Sequence, residues 1–131
     1  MGKTHAINKV RELFETVLGY ELGCDYQLAA LQAVMATQIG GDTIHHALGI
    51  PAFGKYMVDA ERRAEQEVVA KRVLNWRWLI IDEISMVSAK LLAEIDARLR
   101  SAVRETGTRK LYDDGSERPF GGLNVIFAGD F

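Results

Sequence analysis

The chain has 131 residues, of which 48% are hydrophobic and 26% charged, and its formal net charge is −2 at pH 7. That length fits one domain, and the apolar fraction suffices for a hydrophobic core, which excludes disorder as the main state. The near-balanced charge excludes a globally basic surface, so any contact with nucleic acid has to be local. The single cysteine, Cys24, excludes an internal disulfide and fits a reducing compartment.

The first predicted elements are a long helix and a short strand. Apolar residues at helical spacing predict a helix over residues 6–18 that ends at Gly19. A strand is predicted over Tyr26–Ala30, although residues 28–31 fit a helix equally well. No apolar run reaches the ~20 residues of a membrane span, and no apolar segment of a signal peptide follows the first residues.

A glycine turn at residues 40–42 precedes a short predicted helix. Thr43 is a suitable N-cap for a helix over Ile44–Leu48, because its hydroxyl can accept a hydrogen bond from the first turn. Gly49 and Pro51 are typical of a helix end. These local signals define both ends of the element.

The second half of the chain alternates between helices and strands. A polar helix is predicted over residues 55–76, and the continuous apolar run Trp78–Ile81 predicts a central strand covered on both faces. Ser88 caps a second strongly amphipathic helix. A loop over residues 106–122 leads to a final strand at residues 125–128. The alternation predicts an α/β fold with a parallel sheet and right-handed crossovers.

Gly2, Lys3 and Thr4 stand directly before the first helix and match the end of the phosphate-loop pattern G-x-x-x-x-G-K-[ST]. In such a loop the backbone amides cradle phosphates, the lysine reaches the β and γ phosphates, and the hydroxyl is a magnesium ligand. Alone the tripeptide is a weak signal, and a solvated terminal tail is the alternative. The earlier residues of the pattern would precede Met1.

Asp82 and Glu83 directly follow the apolar run of the predicted central strand, which is the form of a Walker B motif. A buried strand would deliver these carboxylates to its carboxyl end, where open α/β sheets bind ligands. Asp82 would hold magnesium and Glu83 would orient the attacking water. The alternative is a solvated Asp-Glu turn, but the upstream Gly-Lys-Thr favours the functional interpretation.

Two further groups are candidates for the same edge of the sheet. Asp130 follows the last predicted strand and could sense the γ-phosphate, or it could belong to a simple Gly-Asp turn. The glycine turn before the short helix could bind phosphate through backbone amides, including that of Gly41. Thr43 and His45 could add hydrogen bonds to a nucleic-acid backbone. For the two histidines, an ordinary role in packing or at the surface fits the sequence about as well as a nucleic-acid contact.

Together these motifs resemble the first motor domain of Pif/RecD-type DNA helicases of superfamily 1, and more closely its Pif branch. The blocks follow the order of the family and span nearly the whole chain. They lie at residues 2–4, 39–50, 79–87, and 118–122 with 125–131. The Asp-Glu-Ile-Ser-Met sequence from Asp82 and the Pro-Phe-Gly-Gly sequence from Pro119 are the most specific of them.

The resemblance implies a RecA-like P-loop NTPase domain that binds ATP with Mg²⁺, contacts single-stranded DNA and moves 5′ to 3′ along it. By position, Lys3 and Thr4 inherit phosphate and metal roles, and Gly2 belongs to the same loop. Asp82 inherits the metal role, Glu83 the catalytic one, and Asp130 that of the motif III acid.

The expected DNA contacts by resemblance are Thr43 and His45, with Gly41 in the same segment. One position departs from the family, since Gln32-Ala33 stands where Thr-Gly is common. Gln32 can still donate a hydrogen bond to a phosphate.

The resemblance further implies that residues 1–131 are a partial motor domain, cut at both ends and lacking the second motor domain. We therefore expect the chain alone to be inactive as an ATPase. Family roles in DNA repair, recombination and telomere maintenance imply a nuclear or mitochondrial location. The alternatives are a non-catalytic helicase remnant that acts as a binding module, and a P-loop ATPase that does not act on DNA.

Overall fold

The computed structural model of the chain describes residues 2–51, 59–105 and 111–129, without the side chains of residues 2–4 and 105. The elements follow one another in the order of an α/β domain. They are helix α1 (Gly2–Glu12) with a π-helical extension (Leu13–Val17), strand β1 (Tyr26–Ala30), helix α2 (Ala33–Gln38), strand β2 (Asp42–Thr43), helix α3 (Ile44–Leu48), helix α4 (Asp59–Val73), strand β3 (Trp78–Ile81), a 3-10 turn (Ile84–Met86), helix α5 (Ala89–Glu105), a 3-10 turn (Pro119–Gly122) and strand β4 (Asn124–Phe127).

The four strands form one parallel sheet in the order β2-β1-β3-β4. The register aligns one residue of each strand in a row across the sheet: Ala29 pairs with Asp42 and with Ile81, and Ile81 pairs with Phe127. All four carboxyl ends therefore open onto the same edge. The predicted α/β fold with a parallel sheet is confirmed.

Both faces of the sheet are covered, as the continuous apolar run of β3 predicts. Leu79 and Ile81 point into a core that α3, α4 and α5 complete, whereas Ile80 points into the core beneath α1 and α2. Successive residues of a strand point to opposite faces, so a strand between two helical layers has to be apolar at every position. All three of these side chains are 0–1% exposed.

Helix α1 and its π-helical extension cover one face of the sheet. Phe14, just beyond its end, packs its ring against Tyr26 and Trp78, with centroids 5.1 and 5.5 Å away. Tyr26 and Trp78 are the first residues of β1 and β3 and pair with each other. Phe14 therefore marks the amino edge of the sheet.

A buried hydroxyl helps to fix α1 on the sheet. Tyr26 is fully buried and donates a hydrogen bond to the Glu15 carboxylate. Burial raises the pKa of the Tyr26 hydroxyl, and the hydrogen bond to Glu15 raises it further. Arg11 adds a second tie, because its guanidinium donates to the Ile39 carbonyl at 3.0 Å.

Predictions that depend on short-range signals are confirmed. Tyr26–Ala30 is a strand, so the helical alternative for that segment is wrong. The Thr43 hydroxyl caps α3 by accepting from the His46 amide at 3.2 Å, and Gly49 ends the helix with a left-handed φ of 63°. Ser88 accepts from the Leu91 amide at 3.1 Å at the start of α5.

Boundaries set by distant contacts differ from the prediction. Helix α4 ends at Val73, before the predicted residue 76, because the chain turns there and the Trp76 amide donates to the Val73 carbonyl. The last strand is Asn124–Phe127, one residue earlier than predicted. The loop before it contains the 3-10 turn Pro119–Gly122.

None of the helices described here has the length and apolar character that a membrane crossing requires.

We expect Phe14→Ala to lower the free energy of unfolding by about 3–5 kcal/mol, because it removes a buried ring from three aromatic neighbours. Leu13→Ala is the matched control, since Leu13 adjoins Phe14 and is 50% exposed. Urea denaturation followed by circular dichroism measures both, and Phe14→Leu provides a milder variant if Phe14→Ala does not fold. Equal losses at the two positions would contradict the packing described for α1.

Candidate functional site

Asp82 lies at the carboxyl end of the central strand β3. Its amide donates to the Ala29 carbonyl at 2.9 Å, which continues the β1–β3 ladder by one residue, and only 4% of the residue is exposed. A buried carboxylate is costly unless the surrounding structure compensates its charge, so its presence marks a specialised position. Carboxylate oxygens are hard ligands of the kind that Mg²⁺ prefers.

Glu83 has a left-handed backbone conformation with φ 53° and ψ 54°. For an L-residue with a β-carbon this conformation costs about 1–2 kcal/mol, so distant contacts have to hold it. The neighbouring Ile84 amide donates to the Ala128 carbonyl at 3.0 Å, and the Met86 amide donates to the Glu83 carbonyl at 3.0 Å. The backbone on both sides of Glu83 is thus fixed, and its side chain is half-buried.

Gly129, just after β4, lies directly against the backbone of Glu83. A β-carbon on Gly129 would be 3.1 Å from the Ile84 nitrogen and 3.3 Å from the Glu83 α-carbon, and the φ of Gly129 is 142°. A side chain at this position would push the end of β4 away from Glu83. The glycine before Asp130 therefore serves close packing, which the sequence alone did not indicate. Asp130 itself lies outside the described residues.

The first residues of α1 are expected near the same edge of the sheet. Thr4 and Phe14 are ten residues apart, which is about 15 Å along a helix, and a strand of four or five residues spans about the same distance. With Phe14 at the amino edge, a helix that runs back along the strands would bring Gly2, Lys3 and Thr4 to the carboxyl edge, where Asp82 lies, and this placement stays a prediction. The side chains of Lys3 and Thr4 lie outside the described residues.

The predicted DNA segment opens onto the carboxyl edge too. Thr43 pairs with Ala30, and Asp42 pairs with Ala29, whose other partner is Ile81. Because neighbouring strands are about 4.8 Å apart, Thr43 lies about 10 Å from the end of β3, measured across the sheet. Gln32 follows β1 between these strands and is exposed at the start of α2.

The glycine turn is built differently from the predicted phosphate cradle. The Gly40 amide donates to the Thr37 carbonyl at 3.1 Å, and the Gly41 amide donates to the Ala36 carbonyl at 2.8 Å. These two amides are therefore engaged within the protein. A β-carbon on Gly41 would lie 2.4 Å from the Leu28 carbonyl oxygen, so close packing against β1 accounts for the glycine. A DNA contact of Gly41 stays a prediction.

The two histidines of α3 point in different directions. Nδ1 of His45 lies 3.1 Å from the Ile50 carbonyl, which can only accept, so this nitrogen carries a hydrogen. His46 is exposed, and its Nδ1 lies 2.5 Å from an Asp42 carboxylate oxygen. The local structure thus orients His45 partly inward and leaves His46 more open to solvent.

A long-range contact that the sequence did not predict joins α5 to the Pro119–Gly122 turn. The Phe120 amide donates to Asp96 Oδ1 at 2.6 Å, and Arg100 donates to the same oxygen at 3.0 Å. Phe120 has a left-handed φ of 54°, so Asp96 helps to hold a strained turn just before β4.

In the described part of the chain, no group of three or more His, Cys, Asp or Glu side chains could hold a metal.

Comparison with known proteins assigns the family. A model of the PIF1-like helicase family matches residues 26–131. The chain belongs to the PIF1-like helicase family. The human ATP-dependent DNA helicase PIF1 is 36% identical over 102 residues, which cover 78% of this chain and 14% of the human protein. The PIF1 helicase of Saccharomyces cerevisiae is 32% identical over 135 residues, covering 99% of this chain and 14% of the yeast protein.

Solved structures of the family share the fold. The Pif1 helicase from Bacteroides in complex with ADP-AlF3 and single-stranded DNA has a TM-score of 0.65 and 29% identity, over 98% of this chain and 26% of that one. The Pif1 helicase from Candida albicans has a TM-score of 0.68 and 26% identity, over 99% and 26% of the two chains. The predicted RecA-like fold is confirmed, and the chain spans about a quarter of these structures.

We expect Glu83→Gly to be more stable than Glu83→Ala by about 1–2 kcal/mol, because glycine adopts the left-handed conformation without strain. Both variants lack the carboxylate, so their difference isolates the backbone. Val68, which is exposed within α4, provides the control pair, where alanine should be the more stable residue by about 1 kcal/mol. Thermal unfolding of the four variants measures both differences. The same order at both positions would contradict the backbone assigned to Glu83.

Proposed function

We propose that this chain forms the nucleotide site and part of the DNA-contacting surface of an ATP-dependent DNA helicase of the Pif type. The reaction is ATP + H₂O → ADP + phosphate, coupled to unwinding in the 5′ to 3′ direction. The observation that carries the proposal is the buried Asp82 followed by a left-handed Glu83 at the carboxyl end of β3. Open α/β sheets bind ligands at this edge.

The start of α1 would bind the phosphates of ATP. Backbone amides at a helix N-terminus attract anions, and Gly2, Lys3 and Thr4 occupy the first positions of α1. The Lys3 ammonium would neutralise charge on the β and γ phosphates, and Thr4 with Asp82 would hold Mg²⁺. The hydroxyl and carboxylate oxygens of these two residues fit this ion. When bound, Mg²⁺ supplies charge neutralisation on the triphosphate.

Glu83 would act on the attacking water. Its carboxylate would accept a hydrogen bond from the water and remove the proton as the oxygen attacks the γ-phosphorus. Phosphoryl transfer depends mainly on positioning, and the rigid backbone on both sides of Glu83 suits that demand. Asp130 would lie beside the γ-phosphate, since it follows the Gly129 that contacts the Glu83 backbone.

Single-stranded DNA would bind beside the nucleotide, at Gln32, Gly41, Thr43 and His45. Support comes from the register, which brings β1 and β2 to the same edge as β3. The Thr43 hydroxyl accepts a hydrogen bond as a helix cap, so its own hydrogen is available as a donor to phosphate. The Bacteroides relative is described in complex with single-stranded DNA. We extend the proposal to the family's roles in DNA repair, recombination and telomere maintenance, with the protein acting in the nucleus or the mitochondrion.

We expect Glu83→Gln to lower ATP turnover by at least about 100-fold, because the amide cannot take the proton from water. Nucleotide affinity should stay unchanged, since the side chain acts on the water and not on the phosphates. Phosphate release and titration with a fluorescent nucleotide measure the two quantities in the intact protein, meaning a chain with both motor domains, because residues 1–131 alone are expected to be inactive. Glu67→Gln, at an exposed position of α4, is the matched control. Normal turnover by Glu83→Gln would remove Glu83 from this role.

We expect Thr43→Val with His45→Ala to weaken binding of single-stranded DNA by about tenfold, the value of one to two hydrogen bonds. Fluorescence anisotropy with a labelled oligonucleotide measures the affinity, and nucleotide binding monitors the rest of the site. Thr43→Ser is the control, because it keeps the hydroxyl that caps α3. Undiminished affinity of the double variant would favour a P-loop ATPase that does not act on DNA.

A further inference from the structure

Helix α3 is too short to hold its own position. It has five residues, Ile44–Leu48, and an isolated helix needs about 12–15 residues to be even marginally stable in water. It nevertheless carries His45 and follows Thr43, two of the proposed DNA contacts. Their geometry therefore depends on whatever anchors α3 to the rest of the domain.

The carboxyl end of α3 is anchored by Arg72 from α4. One nitrogen of its guanidinium donates to the His46 carbonyl at 2.6 Å and to the Ala47 carbonyl at 3.0 Å. The last carbonyls of a helix have no amide partner within the helix, and a cation there also suits the helix dipole. The preceding carbonyl, that of His45, accepts from the amides of Gly49 and Ile50.

On the other side of this contact, the backbone of Gly49 packs closely against α4. A β-carbon on Gly49 would lie 2.7 Å from a methyl group of Val69, which is one turn before Arg72 on α4. Ala47 and Leu48 are fully buried in the core that includes Val69. Helix α4 thus holds the end of α3 by packing on one side and by a charge-assisted clamp on the other.

We infer that Arg72 is a positioning residue for single-stranded DNA, acting through α3 and not by touching DNA. The inference rests on the proposed function, because it assumes that Thr43 and His45 contact DNA. Arg72 fixes the axis of α3 from its carboxyl end, and the cap at Thr43 fixes the other end. Without the guanidinium, the His46 and Ala47 carbonyls lose this hydrogen-bond donor, and α3 is no longer held in one position against α4.

The test compares Arg72→Met with Lys71→Met, an equal loss of charge at the exposed neighbouring position of α4. Hydrogen exchange of the Gly49 and Ile50 amides should accelerate in Arg72→Met and not in Lys71→Met. This measurement needs no DNA, so it tests the clamp separately from the proposed function. Unchanged exchange at these amides in Arg72→Met would overturn the inference.

Binding of single-stranded DNA to the intact protein tests the consequence. We expect Arg72→Met to weaken it by about fivefold, the equivalent of one lost hydrogen bond, with nucleotide affinity and salt dependence unchanged. In the background of Thr43→Val with His45→Ala, the same substitution should have little further effect, because coupled residues are not additive. A loss that persists in that background, with a shallower salt dependence, means that Arg72 contacts phosphate directly and overturns the inference. Failure of the unaltered protein to bind DNA would instead refute the proposed function.

Discussion

The candidate site depends on the register between β1 and β3. The hydrogen bond from the Asp82 amide to the Ala29 carbonyl fixes where β3 ends, and the pairing of Ala30 with Thr43 fixes where β2 ends on the other side. A shift by one residue would turn every side chain of β3 to the other face. It would place charge in a core and apolar side chains at the ligand edge. Apolar burial on both faces therefore specifies the position of the acidic pair.

Helices pack on both faces of the sheet, and each layer contacts specific residues of the strands or of the neighbouring helices. Phe14 fixes the far end of α1 among the first residues of β1 and β3. On the other face, α4 sets the position of α3 through Val69 and Arg72. The layer that contains α4 thus fixes the short helix that carries His45, a proposed DNA contact.

Elements defined by local signals could be predicted from the sequence. The capped helix Ile44–Leu48 and the buried strand Trp78–Ile81 have the predicted bounds, since a cap, a glycine or an apolar run acts over only a few residues. The position of Asp82 at the end of that strand was predictable for the same reason.

Other features depend on residues far apart in the chain. The backbone of Glu83 depends on Ala128 and Gly129, and the turn at Phe120 depends on Asp96, 24 positions earlier. The Arg72 clamp spans 26 positions. No local pattern encodes such pairs. The same limit explains Gly41, whose glycine suggested an anion cradle but is required by the carbonyl of Leu28 in the neighbouring strand.

The hydrogen bond from His45 to the Ile50 carbonyl has a consequence for the chemistry of any nucleic-acid contact there. With Nδ1 committed as a donor, the uncharged imidazole offers only a lone pair at Nε2. This lone pair can accept a hydrogen bond from an amino group on a nucleobase edge, whereas a phosphate oxygen has no hydrogen to donate to it.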